Sequence, residues 1–251
     1  MCLILISWKT HPDYKLVLAA NRDEFFERPT QQANFWEDHP NVLAGKDLQA
    51  GGTWIGITKS GRIAALTNYR DPQNIDTNAA SRGQLTANFL KGIDAPEQYL
   101  MKLKNSGTHY NGFNLIVGDG NSLFHYNNVN HDIHEIHAGT FGLSNGFFQE
   151  NWPKVKKGRN ALEQLIKEKE FSNQDLLDIL GDGQKADDSE LPKTGISLEW
   201  ERALSPLFIS AEGYGTRCST IITTDNNDKT KFLEKTYAVG DQSESTVQFD
   251  F

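Results

Sequence analysis

Cysteine is nearly absent from this chain of 251 residues, which contains only Cys2 and Cys218. Secreted domains that depend on disulfides are much richer in cysteine, so we expect no disulfide framework and a cytoplasmic location. Long apolar runs are also lacking, and the apolar opening at residues 3–8 is too short for the core of a signal peptide. Because no run approaches the roughly 20 apolar residues that span a bilayer, we expect no integral membrane association.

Positive charge is in short supply, with 25 lysines and arginines against 33 aspartates and glutamates and a net charge of -8. This balance and the lack of a basic cluster exclude a broad surface for phosphate backbones, so nucleic acid is not an expected partner. The remaining partner class is a small molecule, and the oligomeric state is left unassigned. The hydrophobic content of 37% suffices for a sizeable core, which predicts one domain over residues 1–251.

Short apolar runs separated by turn residues predict paired antiparallel strands. The predicted strands are residues 3–8 with 15–20, 54–58 with 62–67, 113–117 with 123–126, and finally 218–224 with 231–239. Apolar spacings of three and four predict helices. These helices are Gly83–Lys91, Pro96–Lys104 and residues 153–169, followed by a capping box at Ser172–Asp175 and a mobile polar loop at 181–195. The pattern favours an α+β fold in which helices cover antiparallel sheet.

Cys2 is the first candidate for chemistry, because removal of Met1 would leave a thiol and a free α-amine on one residue. An α-amine titrates near 7.7 to 8.0, so at physiological pH it can accept the proton of an adjacent nucleophile. Many proteins carry a small second residue with no catalytic role. Position alone therefore does not make Cys2 a nucleophile.

Other polar residues have ordinary structural interpretations when each is taken alone. The run Asn21-Arg22-Asp23-Glu24 follows an apolar strand and would be a surface turn with ion pairs. Asn68 and Asn145 would be turn or cap residues, and Arg217 a surface residue. Cys218 would be a buried structural thiol, and Gly51-Gly52 a tight turn, since no phosphate-binding helix motif follows it.

Histidine is concentrated between His125 and His137, where His131 and His134 complete a spacing of three. On a helix this spacing would gather metal ligands on one face. The intervening sequence alternates like a strand, however, which puts His131 and His137 on one face and His134 on the other. We therefore interpret the segment as a polar outer strand and expect no metal site.

In combination, several of these motifs resemble the NRDE family, also called Transport and Golgi Organisation 2. The matches follow the family's order along nearly the whole chain. They are Met1-Cys2-Leu3-Ile4, Asn21-Arg22-Asp23-Glu24, Arg28-Pro29-Thr30, Ala44-Gly45-Lys46-Asp47, Gly51-Gly52-Thr53-Trp54, Leu66-Thr67-Asn68-Tyr69-Arg70, Ser81-Arg82-Gly83, Leu143-Ser144-Asn145 and Trp152-Pro153-Lys154-Val155.

The family is in turn similar to cysteine acylases with an N-terminal nucleophile, which implies a four-layer αββα sandwich of two mainly antiparallel sheets. By this resemblance Cys2 attacks an amide carbonyl and Asn68 donates a hydrogen bond to the developing oxyanion. Asn145 orients the α-amine, and Arg22 and Arg217 supply the positive field that favours a thiolate. Asp23 fixes the amine or Arg22.

One departure from the acylase pattern leaves the carboxylate open. In the acylases the aspartate follows the arginine after a gap, whereas Asp23 follows Arg22 directly. Neighbouring residues on a strand point to opposite faces, so either Asp23 or Glu24 can be the inward carboxylate.

The resemblance implies a hydrolase of non-peptide linear amides that acts through Cys2 and uses no metal or organic cofactor. The alternative is a protein without enzymatic activity that binds or carries a small molecule such as haem or a lipid in the same cleft. Aromatic residues offer candidates for the wall of such a cleft: Trp8, Trp36, Trp54 and Tyr69. Aromatic side chains more often belong to a core, so they permit this alternative without favouring it.

Overall fold

The computed structural model describes residues 2–168, 170–240 and 243–251. The strands are β1 (Cys2–Trp8), β2 (Tyr14–Phe25), β3 (Thr30–Phe35), β4 (Val42–Asp47), β5 (Ile55–Thr58), β6 (Ile63–Asn68), β7 (Phe113–Gly118), β8 (Leu123–Asn127), β9 (Asp132–Glu135), β10 (Gly139–Leu143), β11 (Ser210–Ala211), β12 (Tyr214–Asp225), β13 (Thr230–Thr236) and β14 (Ser245–Asp250). The α-helices are α1 (Gly83–Lys91), α2 (Pro96–Lys104), α3 (Pro153–Leu165), α4 (Asn173–Leu180) and α5 (Leu198–Ala203), with a short 3₁₀ helix at Asp188–Glu190.

The chain divides into two compact units, and the second is inserted into the first. Unit 1 contains Met1–Glu27 and Ala138–Phe251, and unit 2 contains Arg28–His137. Within the described residues each unit has one antiparallel sheet of seven strands. This confirms the predicted α+β class with two antiparallel sheets. The single domain over residues 1–251 stays a prediction.

The sheet of unit 1 has the order β10-β1-β2-β12-β13-β14, with β11 paired to β12. One of its faces is apolar and packs against α3 and α4. Leu3 and Leu5 of β1 join Leu162 of α3 and Leu176 of α4 in this core. Burial of each leucine stabilises the fold by about 1.5–3 kcal/mol, so this face fixes the helices on the sheet.

The helices of unit 1 begin much as their sequences predict. Pro153 occupies the first turn of α3, and Ser172 and Asp175 form the predicted capping box of α4. The helix predicted over residues 153–169 is shorter than expected, because α3 ends at Leu165. Residue 169, the last of that prediction, lies outside the described residues.

The sheet of unit 2 has the order β3-β4-β5-β6-β7-β8-β9, and α1 packs against β5, β6 and β7. β9 is one of the two edge strands of this sheet, as the outer-strand interpretation of the histidine segment predicted. It spans only Asp132–Glu135, so the prediction that His131 and His137 share a strand face is wrong. His131 has a φ of 56°, in the left-handed region that turns use, and this conformation ends the extended pattern before β9.

A buried set of uncharged polar side chains crosses the sheet of unit 2. We call Thr67, Asn114, His125 and Asn127 the neutral network. The amide nitrogen of Asn114 donates to Thr67 Oγ1 at 3.2 Å. Its amide oxygen accepts from Asn127 Nδ2 at 2.9 Å and lies 3.0 Å from His125 Nε2. These contacts satisfy the polar atoms of Asn114 in an interior where an unsatisfied group would be costly.

Candidate functional site

Cys2 begins β1, and the register of the sheet pairs it with Arg22 of β2. Cys2 is half-buried. Burial raises the pKa of the Cys2 thiol and the Asp23 carboxylate acts in the same direction, whereas the Arg22 guanidinium and a hydrogen bond from the backbone N–H of Asp23 lower it. In the chain that retains Met1, burial prevails, and the pKa of the Cys2 thiol lies above its ordinary value.

Arg22 lies between the two cysteines of the protein. It pairs with Cys2 on one side and with Cys218 of β12 on the other. Residues directly opposite each other on neighbouring strands share a face, so all three side chains lie on the same face of the sheet. The two cysteines are roughly 10 Å apart because two strand spacings separate them, which is too far for a disulfide.

The strand β2 includes the whole run Asn21-Arg22-Asp23-Glu24. A surface turn at this run, the interpretation that it has in isolation, is wrong, because β2 extends to Phe25 and pairs on both sides. Arg22 is 5% exposed and Asp23 is 1% exposed. Arg22 and Asp23 are therefore buried within the sheet.

Asp23 is the buried carboxylate of the two that the sequence leaves open. Thr216 Oγ1 donates to Asp23 Oδ1 at 2.7 Å, and Tyr214 donates from its hydroxyl to the backbone oxygen of Asp23 at 3.1 Å. Burial raises the pKa of Asp23, and the ammonium of Lys154 lowers it. Glu24, in contrast, is half-exposed and accepts from the backbone N–H of Phe25.

Asn145 directly follows β10 and is fully buried. The hydroxyl of Ser144 donates both to the backbone oxygen of Cys2 at 2.9 Å and to Asn145 Oδ1 at 3.2 Å. β10 thus places Asn145 next to the first residue of β1. This position agrees with the role of orienting the amine, which stays a prediction.

Arg217 lies at an irregularity of β12, where the register with β2 shifts between Thr216 and Cys218. Such a bulge re-aims a side chain locally. Arg217 Nη1 donates to the backbone oxygens of Phe25 and Phe26 at 3.0 and 3.2 Å. Burial, together with repulsion from Arg22, lowers the pKa of Arg217. The surface position that this residue would have in isolation is wrong, because only 6% of it is exposed.

Asn68 belongs to unit 2, unlike the other predicted site residues. It is the last residue of β6 and pairs with Phe113 of β7. Strand alternation places it on the face that carries Ala64 and Leu66, two members of the hydrophobic core of that unit. Its placement near the Cys2 thiol stays a prediction.

Three buried charged residues of unit 1 were missed from the sequence: Lys154, Glu201 and Glu234. Lys154 of α3 is 2% exposed and Glu234 of β13 is 1% exposed. Lys154 Nζ lies 4.0 Å from Asp23 Oδ2, and Glu234 Oε2 accepts from Thr220 Oγ1 at 3.4 Å. The sequence did contain an indication for Lys154. A cation in the first turn of a helix interacts unfavourably with the helix dipole, so another interaction must compensate it.

Among its described residues unit 1 therefore buries three cations and three carboxylates. One carboxylate, Glu201 of α5, accepts a hydrogen bond from Thr194 Oγ1 at 2.6 Å, and we call the other five groups the charged cluster. Its members are Arg22, Asp23, Lys154, Arg217 and Glu234. Desolvated charges tolerate burial only when others compensate them. Buried charged groups gathered near a thiol are typical of a reactive site.

The histidines between His125 and His137 belong to unit 2. The ring of His125 lies 4.9 Å from that of His134, and His134 Nδ1 lies 3.0 Å from Asp132 Oδ2. In the described residues no group of three or more His, Cys, Asp and Glu side chains has the geometry of a metal site. Nor does any helix in the same residues have the length and apolar character required to cross a membrane.

Sequence comparison matches residues 1–239 to the family described as Transport and Golgi organisation 2. The human Transport and Golgi organization protein 2 homolog is 34% identical over 260 residues, which cover 94% of this chain and 92% of the human protein. The Transport and Golgi organization protein 2 of Drosophila melanogaster is 28% identical and covers 100% of this chain and 99% of the fly protein.

Solved structures of two hydrolases resemble this one. A mutant of the conjugated bile acid hydrolase from Clostridium perfringens matches with a TM-score of 0.56 at 10% identity, covering 98% of this chain and 92% of the hydrolase. The N-acylethanolamine-hydrolyzing acid amidase ortholog of Caenorhabditis elegans matches with a TM-score of 0.52 at 9% identity, covering 88% and 92%. These likenesses establish the fold of N-terminal-nucleophile hydrolases and confirm the predicted fold class.

Proposed function

Because the chain belongs to the Transport and Golgi organisation 2 family and has the fold of N-terminal-nucleophile hydrolases, we propose that it hydrolyses a non-peptide linear amide through Cys2. One observation carries the proposal. The Cys2 thiol begins β1 beside the Arg22 guanidinium, and the backbone N–H of Asp23 donates to it. A cation and a hydrogen-bond donor at a thiol both favour the thiolate, which is the nucleophilic form.

Removal of Met1 supplies what the site lacks for attack. The new α-amine takes the thiol proton, and the thiolate sulfur attacks the amide carbonyl carbon. The proton then passes to the leaving amine as the C–N bond breaks. Water hydrolyses the resulting thioester, releases the carboxylic acid and regenerates the thiol. Each proton that leaves a nucleophile is accepted by the amine, so the cycle closes without a metal or organic cofactor.

The other predicted residues have supporting roles in this scheme. Asn145, next to the first residue of β1, orients the amine. Arg22 and Arg217 provide positive field, and Asn68 donates to the oxyanion, a contact that contributes several kcal/mol in known enzymes. Asn68 can have this role only if the end of β6 lies beside the Cys2 thiol. This is the part of the scheme that an experiment can contradict most directly.

The decisive experiment uses protein whose intact mass shows that Met1 has been removed. The substrate panel holds N-acylethanolamines and conjugated bile acids, the substrate classes named for the two similar structures. We expect turnover by the wild type, none by Cys2→Ala, and nearly unchanged turnover by the matched control Cys218→Ala. Activity that survives Cys2→Ala would contradict the proposal.

A second candidate function is binding or transport of a small molecule such as haem or a lipid, without catalysis. The observation in its favour is that burial raises the pKa of the Cys2 thiol when Met1 is present. The relatives are also named for transport and Golgi organisation and not for a reaction. Of the proposed wall residues, Trp36 belongs to the core of unit 2, which weakens this candidate.

Intact-mass analysis of the protein purified from its own cells separates the two functions. If Met1 is retained, Cys2 has no free α-amine, which favours the binding function. Complete removal of Met1 favours hydrolysis. The cytoplasmic location stays a prediction, and fractionation of the same cells tests it.

A further inference from the structure

Lys154 is a lysine in a place where lysine is unfavourable. Its side chain is 2% exposed, and lysine is almost never fully buried unless it is paired. It also occupies the first turn of α3, where the positive end of the helix dipole repels a cation. Two separate electrostatic costs therefore need an opposing interaction.

The packing of α3 explains how Lys154 reaches the sheet. Gly158 lies one helical turn further along, and a Cβ atom there would come within 2.9 Å of Leu5 Cδ1. The helix thus approaches β1 more closely than a larger residue at that position would permit. Val155 and Leu162 anchor the same helix in the apolar core. The ammonium of Lys154 is held by this packing 4.0 Å from Asp23 Oδ2.

Asp23 connects Lys154 to the thiol. Its side chain is fully buried and receives the hydroxyl of Thr216, while its backbone N–H donates to the Cys2 sulfur. Burial favours the neutral acid and Lys154 favours the carboxylate, so the lysine opposes the effect of burial on Asp23.

We propose that Lys154 is a positioning residue of the Cys2 site. It keeps the Asp23 carboxylate ionised and holds it in place. This inference rests on the proposed function, in which the α-amine of processed Cys2 receives the thiol proton. An ionised Asp23 stabilises the resulting ammonium, while a neutral Asp23 does not. Lys154 acts through Asp23 and does not itself touch the reacting atoms.

The first test measures urea unfolding of the whole protein from pH 4 to pH 8. Because burial raises the folded pKa of Asp23 above its unfolded value, its stabilising contribution is present below the unfolded pKa and is lost as pH rises through the folded pKa. Removal of Lys154 raises the folded pKa further. The unfolding constant of Lys154→Met should therefore grow relative to wild type by up to about tenfold per pH unit over this window.

Matched variants separate this electrostatic effect from simple loss of packing. Lys156→Met makes the same change at an exposed position of α3, and its curve should run parallel to the wild type. Lys154→Arg should restore the pH dependence of the wild type. The double variant Asp23→Asn with Lys154→Met should lose the added pH dependence. If Lys154→Met does not fold, Lys154→Gln removes the charge while retaining a hydrogen-bond donor.

The second test follows the site itself, by measuring the rate of Cys2 alkylation in processed protein as a function of pH. The pH at which alkylation becomes fast should fall by about one pH unit or more in Lys154→Met and return to the wild-type value in Lys154→Arg, because a neutral Asp23 no longer raises the pKa of the Cys2 thiol. Parallel profiles would overturn the proposal. So would a shift in stability alone, because Lys154 would then be purely structural.

The two proposals fail in different ways. If no amide is cleaved but the pH profile of Cys2 alkylation shifts in Lys154→Met, then Lys154 does affect the pKa of the thiol and the proposed hydrolysis is wrong. If the wild type cleaves an amide and the profile of Lys154→Met does not shift, the hydrolysis stands and the role of Lys154 is wrong.

Discussion

Each unit of this protein packs helices against an antiparallel sheet, but the two units bury different kinds of polar group. Each has a seven-stranded antiparallel sheet within the described residues, with an apolar core on the side covered by helices. The polar groups that they bury differ in kind. Unit 1 contains the charged cluster around a thiol, whereas unit 2 contains the neutral network of amides, a hydroxyl and an imidazole.

The two kinds of buried polar group have different consequences for stability. In the neutral network Asn114 is satisfied by its neighbours, and such a network specifies one arrangement of a sheet. Buried charges cost more, and replacing them by apolar residues is often neutral or stabilising, so stability alone does not explain them. The charged cluster is where selection for chemistry is the simpler explanation.

The largest expected effect comes from breaking the neutral network. Asn114→Ala leaves Thr67, His125 and Asn127 without their shared partner, and each unsatisfied buried group costs about 1–3 kcal/mol. We expect a loss of about 3 kcal/mol or more in the free energy of unfolding, measured by urea denaturation. The control Asn121→Ala, at an exposed turn, should change it by less than about 0.5 kcal/mol. A loss below 1 kcal/mol for Asn114→Ala would mean that the network does not stabilise unit 2.

The pH dependence of unit 2 should follow His125. Burial, reinforced by His134, lowers the pKa of His125 to about 3, whereas the unfolded chain titrates near 6.5. Since the unfolded state alone binds this proton, the stabilising contribution is present above pH 6.5 and falls by up to about 1.4 kcal/mol per pH unit below it. His125→Gln should flatten the unfolding curve between pH 6.5 and pH 4. The same change at exposed His137 should leave the slope intact.

The two cysteines of unit 1 should differ in reactivity by at least roughly tenfold. Burial and the Glu234 carboxylate raise the pKa of Cys218 well above its ordinary value, and each pKa unit lowers the thiolate fraction tenfold. In processed protein, iodoacetamide should label Cys2 first, and faster than in protein that retains Met1. Peptide mass spectrometry measures both rates, and unfolding in urea should equalise them. If Cys218 reacts first and Cys2 is inert, binding becomes the leading function.

The smallest expected effect tests whether the reactivity of Cys2 is independent of the stability of α4. Ser172→Ala removes the side-chain cap of α4 and should cost about 1 kcal/mol of stability. Because Ser172 touches no member of the charged cluster, the labelling rate of Cys2 should not change. An altered rate would show that the end of α4 is coupled to the thiol.

Local patterns were enough to predict many elements of the fold. The pairing of β1 with β2, the hairpin of β5 and β6, the start of α3 at Pro153 and the capping box of α4 are all confirmed. These features depend on residues close in sequence, where periodicity, proline and capping chemistry act directly. β3 and β14 were missed, because their burial alternates or is partial and gives a weak apolar signal. β4 was missed because its apolar run, Val42-Leu43-Ala44, is only three residues long.

The family, the fold class and the choice of Cys2 as the residue to test could all be predicted from the sequence. The folded structure was needed to show that Asp23 and not Glu24 is the buried carboxylate, and that Arg217 is buried. It also decided that Lys154, 131 positions from Asp23, is its ionic neighbour. Desolvation and charge pairing depend on which strands and helices meet in space, and a local sequence pattern contains no record of those distances.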